Sequence, residues 1–508
     1  MRFQLSTPTA PVKPNKPSTP STPNMPTRTP ITKEPIMRGL ISIALALSLQ
    51  GCALFEPKPA WEEPPPPPAE RAIVDAEDFT RTTLPNGIEV LVLEDHRLPR
   101  ATVGITLRRG AGSVAPEQAG LAEIATEVMQ RGAGDRDALA LARVVEDAGA
   151  SLSVAAGWDT TRVSMSGLSS DRDLLFSILE DVVMRPRFDA SEFEKARGEQ
   201  LAGLQAALDD PATLVRWHTL KVLYPGHRYG LPMTGTAETL ARLTPDAARR
   251  YWSERRVPGS MIFWAVGDLS ADEVVAEVRA RFGSIAAAEA VSATPPVPAK
   301  TPAQRRIVVV DKPDLGQARI ILAHEGIERT ESKRIPVDLM NDALGGSGFS
   351  SRLMITVRSD AGLTYGIGSG YSLRSEAGPF SISTFTRVPE VRRVIDLVLG
   401  EMEAIRGGRP IDEEELSKFI SYNVGRFGLG LETSEAVLGS IVDLRVHGLP
   451  DDSLDTFRGR VRDVTLADVA EAAQTRLHPD RAAIIVLGPA DQIAPQLESL
   501  GDVEIVQP

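Results

Sequence analysis

Two parts of the chain carry the same succession of apolar and polar positions. Residues 244–255 begin with a Thr that can cap a helix, and a Pro-containing turn then leads into the apolar run 261–267. Residues 465–476 and 482–488 repeat this order, and the interval from the capping Thr to the closing Gly is the same in both copies. The pattern predicts a helix followed by a buried strand at both places. The chain therefore contains an internal repeat.

The strands that open each copy also match. Residues 87–93 and 102–108 alternate in the manner of neighbouring strands, and residues 306–310 and 318–323 read the same way. Between these strands and the helix–strand units, both copies are mainly helical, at residues 171–184, 191–208, 388–405 and 412–425. Strands followed by runs of helices predict an α+β fold. We expect a tandem duplication of two similar lobes, each a mainly antiparallel sheet with helices packed on one face.

The boundaries of the lobes follow from length and composition. A chain of 508 residues is too long for one hydrophobic core. Residues 286–305 have the Ala-, Pro- and Thr-rich composition of a linker, and they separate an N-terminal lobe, 71–285, from a C-terminal lobe, 306–508. Hydrophobic residues make up 42% and charged residues 24%, as in ordinary globular proteins. The net charge of −12 and the lack of a basic block argue against a nucleic-acid partner.

The single cysteine ends a segment with the anatomy of a secretory signal. Arg38 precedes about ten apolar or small residues, which end at Leu49-Gln50-Gly51-Cys52. This run is too short for a transmembrane helix. Its ending resembles a bacterial lipobox, in which the Cys is acylated and becomes the mature N-terminus. A plain secretory signal that happens to hold a Cys is the alternative. Cys52 is therefore the expected lipidation site.

The residues around this signal fit a lipid-anchored protein. Residues 1–36, rich in Pro, Thr and Ser, are a disordered extension or a mis-called start before Met37, and residues 37–51 are the predicted signal peptide. Residues 52–70 contain a proline run, which predicts a stiff and extended linker behind the anchor. Ala53 stands where an Asp would indicate inner-membrane retention. We expect a protein of the bacterial cell envelope, anchored by lipid in the outer membrane and facing the periplasm.

Five short segments match the pattern of one enzyme family. In the N-terminal lobe they are residues 109–113, 118–122 and 131–133, and in the C-terminal lobe residues 345–353 and 357–365. Together they resemble the pitrilysin/insulinase (M16) family of zinc metallopeptidases. Active members carry His-x-x-Glu-His on the first helix of the N-terminal half and a third ligand, a Glu, on a later helix.

The zinc motif itself is replaced at every position. Glu123 and Glu127 stand where the family has its two His, Thr126 stands where it has the general base, and Gly203 corresponds to the third ligand. A zinc peptidase needs three ligands, an open position for water and a base. The resemblance thus implies that this chain alone is not an active zinc peptidase and holds no cofactor, zinc being expected only in a partner subunit. Glu123 and Glu127 lie four residues apart on one helical face, so a Ca²⁺ or Mg²⁺ site is an alternative to ordinary surface residues.

The C-terminal lobe keeps a second motif of the family. Arg358 and Tyr365 flank a Gly-Leu pair, as the substrate-side Arg and Tyr do in the family. The resemblance implies that both bind substrate. Arg358 can donate a forked pair of hydrogen bonds to a peptide, and Tyr365 can donate one towards the oxyanion that forms at the scissile carbonyl. The alternative is that both are packing residues, one at a helix end and one in a strand.

These expectations leave three hypotheses about function. In the first, the chain is the non-catalytic, substrate-side subunit of a heterodimeric periplasmic zinc metallopeptidase. Its partner is then an M16 homologue that bears the zinc motif, and its substrate is a peptide. In the second, it is a peptide-binding lipoprotein without a proteolytic role. In the third, it is a structural scaffold of a cell-envelope assembly.

Overall fold

The computed structural model describes residues 79–288 and 302–508. Residues 1–70, with the predicted signal peptide and the predicted lipidation site Cys52, lie outside the described residues, as does most of the predicted linker 286–305. In the described ranges, no helix combines the length and the apolar character that crossing a bilayer requires.

The first lobe is built on a six-stranded sheet and a small hairpin. Its strands are β1 (Phe79–Thr83), β2 (Glu89–Glu94), β3 (Arg100–Leu107), β4 (Gly132–Ala133), β5 (Arg136–Asp137), β6 (Ser151–Ala156), β7 (Thr161–Leu168) and β8 (Met261–Gly267). The sheet has the order β1-β2-β8-β3-β7-β6, and β4 pairs with β5. Within the sheet, β2 and β8 are parallel and the other neighbours are antiparallel.

The helices of this lobe are α1 (Leu121–Met129), α2 (Ala138–Asp147), α3 (Arg172–Met184), α4 (Ala190–Asp209), α5 (Pro211–Leu223), α6 (Ala237–Arg242), α7 (Pro245–Arg255) and α8 (Ala271–Phe282). All of these except α5 contribute to the core on one face of the sheet. The Thr244 hydroxyl accepts a hydrogen bond of 3.2 Å from the backbone N–H of Ala247, so Thr244 caps α7 as predicted. Strand β8 then follows at the predicted place.

The second lobe repeats this plan. Its strands are β9 (Arg306–Asp311), β10 (Gln317–Glu325), β11 (Ile367–Tyr371), β12 (Pro379–Arg387), β13 (Ala483–Gly488) and β14 (Val503–Val506), in the order β11-β12-β10-β13-β9-β14. Its helices are α9 (Arg334–Asn341), α10 (Val391–Glu403), α11 (Glu413–Phe427), α12 (Ser434–Val446), α13 (Ser453–Arg462), α14 (Leu466–Arg476) and α15 (Ala490–Leu497). Strand β9 is parallel to both β13 and β14. Thr465 caps α14 in a reciprocal pair with Asp468, as its sequence predicted. The predicted α+β fold of two sheet-containing lobes is confirmed.

The second face of each sheet is covered by a helix from the other lobe. Leu214 and Val215 of α5, a helix of the first lobe, pack with Val308 and Ile485 of the second sheet. In return α12, a helix of the second lobe, packs on the first sheet beside β2 and β8. The predicted arrangement, with helices packed on one face of each sheet, leaves out α5 and α12, which each cover the second face of the other lobe's sheet.

This exchange explains why two of the strands are buried on both faces. In β2, Val90 and Val92 face the core of their own lobe, while Leu91 and Leu93 face α12. Because side chains alternate along a strand, a strand with two covered faces must be apolar at every position. The run Val-Leu-Val-Leu satisfies this requirement, so it is not the alternating apolar–polar strand that the sequence analysis described. Strand β9 is built in the same way, from Ile307 to Val310.

An ion cluster at the contact between the lobes has a histidine at its centre. His447, at the end of α12, is buried, and its Nδ1 lies 3.3 Å from a carboxylate oxygen of Asp443. Its Nε2 lies 3.6 Å from Asp159, in the turn between β6 and β7 of the other lobe. Asp159 also accepts a hydrogen bond from the backbone N–H of Ser375, and Asp443 is paired with Arg329. Burial alone would lower the pKa of His447, but the two carboxylates outweigh it and raise the pKa to about 9.

His447→Gln is therefore expected to lower stability in a pH-dependent way. A folded-state pKa of about 9, raised from 6.5, means that the stabilisation is complete below pH 6.5 and is lost as the pH rises through 9. The shift corresponds to roughly 3 kcal/mol at most. The free energy of unfolding of both proteins, measured from pH 6 to pH 10, should differ most at the acid end. His96→Gln, which removes an exposed histidine, is the control. A difference that does not change with pH would contradict the expectation.

Candidate functional site

Helix α1 carries the three positions at which the zinc motif is replaced. Thr126 is buried, and its hydroxyl donates to the backbone carbonyls of Ala122 (3.1 Å) and Glu123 (3.0 Å). It is thus turned back onto its own helix and cannot act as a base. Glu127 is exposed and is held by Arg131 at 2.6 Å, and Glu123 is half-buried.

Two arginines, Arg131 and Arg228, lie near the carboxylates of the altered zinc motif. Arg131 bridges Glu127 and Glu199 of α4, with a distance of 2.5 Å to Glu199. Burial raises the pKa of the Glu123 carboxyl, and the nearby cation of Arg228 acts in the opposite direction. A cation beside each carboxylate disfavours a second, divalent cation at the same place.

Gly203 lies on α4, and a Cβ atom at this position would meet no other atom within 4 Å. The position thus has room for a side chain but provides no ligand. The donor set around α1 contains no histidine, a threonine turned away and two carboxylates next to arginines, so it does not fit zinc. In the part of the chain that the structure describes, no group of three or more His, Cys, Asp or Glu residues could hold a metal ion.

The loop that contains His227 is held by hydrogen bonds of the His227 ring. His227 Nδ1 accepts a hydrogen bond of 3.1 Å from the backbone N–H of Tyr229. Its Nε2 lies 3.2 Å from the carboxylate of Glu376 in the other lobe. The ring is buried with both nitrogens engaged, and it is a hydrogen-bonded loop residue rather than a ligand.

The glycine run of the second motif is helical. Residues 342–346 form a wide helical turn at the end of α9, which packs against β11. A Cβ at Gly345 would lie 2.5 Å from the hydroxyl of Ser369, so only glycine permits this close approach. Arg352 fixes the segment that follows, because its buried guanidinium pairs with Glu415 and donates to the carbonyl of Pro410. The frame around Arg358 and Tyr365 is therefore rigid.

Arg358 and Tyr365 are both accessible from solvent. Arg358 lies in the helical segment Met354–Asp360, with its guanidinium 4.5 Å from the ring centroid of Phe349, which is 76% exposed. Tyr365 lies two residues before β11 and is 82% exposed. A tyrosine that packs within its own chain would be covered. The exposure of Tyr365 leaves its hydroxyl available to another molecule.

A large cavity lies between the two lobes, with a volume of about 1040 Å³. Helices α4 and α5 of the first lobe line it, together with strands β10, β11 and β12 of the second. Of the predicted site residues in the described part of the chain, only Gly203 belongs to this lining, and Gly366, directly after Tyr365, belongs to it as well. The lining also contains Trp158 and Arg374, which the sequence analysis missed. Single residues in polar loops form no motif, so no sequence signal marked them.

Two family models match the chain. The model described as Insulinase (Peptidase family M16) covers residues 89–237, and the model described as Peptidase M16 inactive domain covers residues 242–421. These ranges include α1 with its altered zinc motif and the segment with Arg358 and Tyr365. The chain belongs to the M16 peptidase family.

Similar proteins and solved structures match over most of the chain. An uncharacterized zinc protease of Streptomyces coelicolor is 26% identical over 414 residues, 80% of this chain and 89% of the relative. One from Bacillus subtilis is 23% identical and covers 77% of this chain and 97% of its own length. The crystal structure of a peptidase M16 inactive domain from Pseudomonas fluorescens has a TM-score of 0.73 at 25% identity, over 81% of this chain and 98% of that one. A protease from Helicobacter pylori has the same fold, with a TM-score of 0.74 at 18% identity, over 81% of this chain and 99% of that one.

Proposed function

We propose that this chain is the non-catalytic, substrate-side subunit of a two-chain zinc peptidase. One observation carries the proposal: the described residues of the first lobe contain no usable zinc site, while the second lobe presents Arg358 and Tyr365 to solvent on a rigid frame. The partner is an M16 homologue with an intact His-x-x-Glu-His motif, which supplies the zinc and the general base. The substrate is a peptide held between the two chains.

In this arrangement each chain has a separate chemical task. The His-x-x-Glu-His motif of the partner would hold the zinc, which would supply polarisation of the scissile carbonyl and activation of the attacking water. Arg358 binds and orients the peptide through its fork of N–H donors, and the stacked ring of Phe349 holds the guanidinium in place. The Tyr365 hydroxyl donates to the oxygen on which negative charge develops. The complex is attached to the outer membrane through Cys52 and acts on peptides of the periplasm.

Co-expression with an M16 homologue from a neighbouring reading frame tests the proposal. The wild-type chain should sediment with membranes, and Cys52→Ala should release it as a soluble form. We expect this soluble form to co-purify with the zinc-bearing chain and to cleave unstructured peptides. Neither chain should cleave alone, and a chelator should stop the reaction. A partner that cleaves equally well without this chain would overturn the proposal.

A second candidate is a peptide-binding lipoprotein of the envelope without a proteolytic role. The observation in its favour is that both walls of the 1040 Å³ cavity come from this one chain, so binding requires no partner. In the same experiment, peptides bound but left intact, with no zinc-bearing chain co-purified, would favour this candidate over the first.

A further inference from the structure

The cavity between the lobes has a one-sided charge. Three arginines line it, Arg216, Arg319 and Arg374, while no Asp or Glu belongs to its lining as the structure describes it. This is unexpected in a chain with a net charge of −12. Much of the remaining wall is apolar, and it includes Leu204, Trp217, Met233, Ile321 and Phe385. A cavity of this kind favours a ligand with a negative charge on an otherwise apolar body.

Arg374 is the buried one of these three arginines. It lies between β11 and β12, is 7% exposed, and has its guanidinium 4.2 Å from the ring centroid of Trp158 and 4.4 Å from that of Tyr229. The Nε and Nη1 donors of this group have no hydrogen-bond partner in the described structure. Its backbone is fixed, because the carbonyl accepts a hydrogen bond of 2.7 Å from the N–H of Arg329.

The neighbouring Arg228 is better satisfied. It also stacks on Trp158, and although its Nε has no partner in the described structure, its two terminal nitrogens donate three hydrogen bonds to backbone carbonyls. The negative charge of Asp159 attracts Arg374 electrostatically without a direct contact. The Asp159 carboxylate is instead bonded to the backbone N–H of Ser375 and paired with His447. Aromatic faces stabilise a guanidinium, yet they satisfy none of its N–H donors. A buried donor left unpaired costs free energy that a ligand can recover.

We propose that the cavity binds a peptide through a carboxylate that pairs with Arg374. The planar guanidinium matches a carboxylate with two parallel N–H···O bonds. The apolar wall accepts the side chains of the peptide. The hydroxyls of Ser381 and Ser383 in the lining can bond to its amides, whereas a plain acyl chain has no groups for them to bond to. The inference depends on the proposed function in one respect, namely that the ligand is a peptide.

The carboxylate has two sources, the C-terminus of the peptide or an acidic side chain. Calorimetry on the full chain in its soluble Cys52→Ala form, without any partner, distinguishes them. The probes are a short peptide of Ala, Leu and Ser with a free C-terminus, the same peptide amidated, and the amidated peptide with one Leu replaced by Glu. We expect the free acid to bind about 10- to 100-fold more tightly than the amide. If the Glu peptide binds as tightly as the free acid, an acidic side chain is a second source of the carboxylate.

Arg374→Met keeps the length of the side chain between the two rings and removes its charge. This variant should bind the free acid about 10- to 100-fold more weakly and should no longer distinguish acid from amide. Arg393→Met, which removes a surface arginine that is 62% exposed, should change neither value. Circular dichroism confirms that the variants are folded.

Three outcomes would overturn the inference. First, the wild-type chain could bind the free-acid peptide and the amidated peptide equally well, which can be measured without any variant. A folded Arg374→Met could keep the preference for the acid. Laurate could displace the peptide at equal concentration, which would mean that the ligand is a lipid-like amphiphile. Because the partner is absent from these measurements, their failure leaves the co-expression test of the proposed function unaffected.

Discussion

In the assembled two-chain peptidase, the double variant Arg358→Ala, Tyr365→Phe is expected to lower kcat by about 10²- to 10³-fold. The reason is that the Tyr365 hydroxyl and the Arg358 guanidinium are donors that need no rearrangement before the reaction. The segment between Gly345 and Leu353 packs on β11, and Glu415 and a backbone carbonyl hold Arg352. The Tyr365 hydroxyl acts on charge that develops in the transition state and therefore affects kcat, whereas loss of the contact between Arg358 and the peptide should raise KM by a smaller factor.

The measurement is steady-state cleavage of one peptide by complexes purified through the same tag. Tyr422→Phe is a matched control, because Tyr422 is 41% exposed on α11 and its hydroxyl accepts a hydrogen bond from Arg426 in its own helix. This variant should leave kcat unchanged. A double variant that still pairs with its partner and cleaves at the wild-type rate would mean that this chain contributes structure and not chemistry.

Glu89→Gln is expected to reduce the free energy of unfolding by about 3–5 kcal/mol. Glu89 is 6% exposed at the start of β2 and forms ion pairs with Arg81 (3.0 Å), Arg108 (3.0 Å) and Arg445 (2.9 Å). Arg445 belongs to α12, so this carboxylate connects the two lobes. The glutamine keeps the shape of the side chain but removes the anion that all three arginines share, and in the described part of the chain only the exposed Asp451 still pairs with Arg81 and Arg445.

Chemical denaturation of the soluble chain measures this change through the shift in the midpoint. Glu238→Gln provides the comparison, because Glu238 forms an exposed pair with Arg242 on one helix and should contribute within about 0.5 kcal/mol. A loss below about 1 kcal/mol for Glu89→Gln would show that solvent reaches the cluster and replaces the missing charge.

The sequence predicted the parts of the fold that depend on local signals. Thr244 and Thr465 marked the starts of α7 and α14, and apolar runs marked the strands after them. The exchange of α5 and α12 was not predicted, because an amphipathic helix does not specify which sheet its apolar face will cover. A usable signal was nevertheless present: runs such as Ile307 to Val310 are apolar at every position, as a strand covered on both sides requires.

The candidate site likewise contains residues that the sequence could identify and residues that it could not. Glu123, Thr126, Glu127 and Gly203 could be named because a matched frame of residues surrounds each of them. Arg374 stands in no such frame, and a lone arginine in a polar loop reads as a solvated residue. Its burial depends on Trp158 and Tyr229, which come from distant parts of the chain and meet it only in the folded molecule.

The exchanged helices also bear on how this duplicated chain can change during evolution. If either half were deleted, the remaining sheet would lose the helix on its outer face, and Leu91, Leu93, Ile262 and Val266, or their counterparts on β9 and β13, would meet water. The two halves are therefore repeats in sequence but not interchangeable modules. Loss of the zinc ligands from one half does not release that half from selection, because its neighbour still needs it in order to fold.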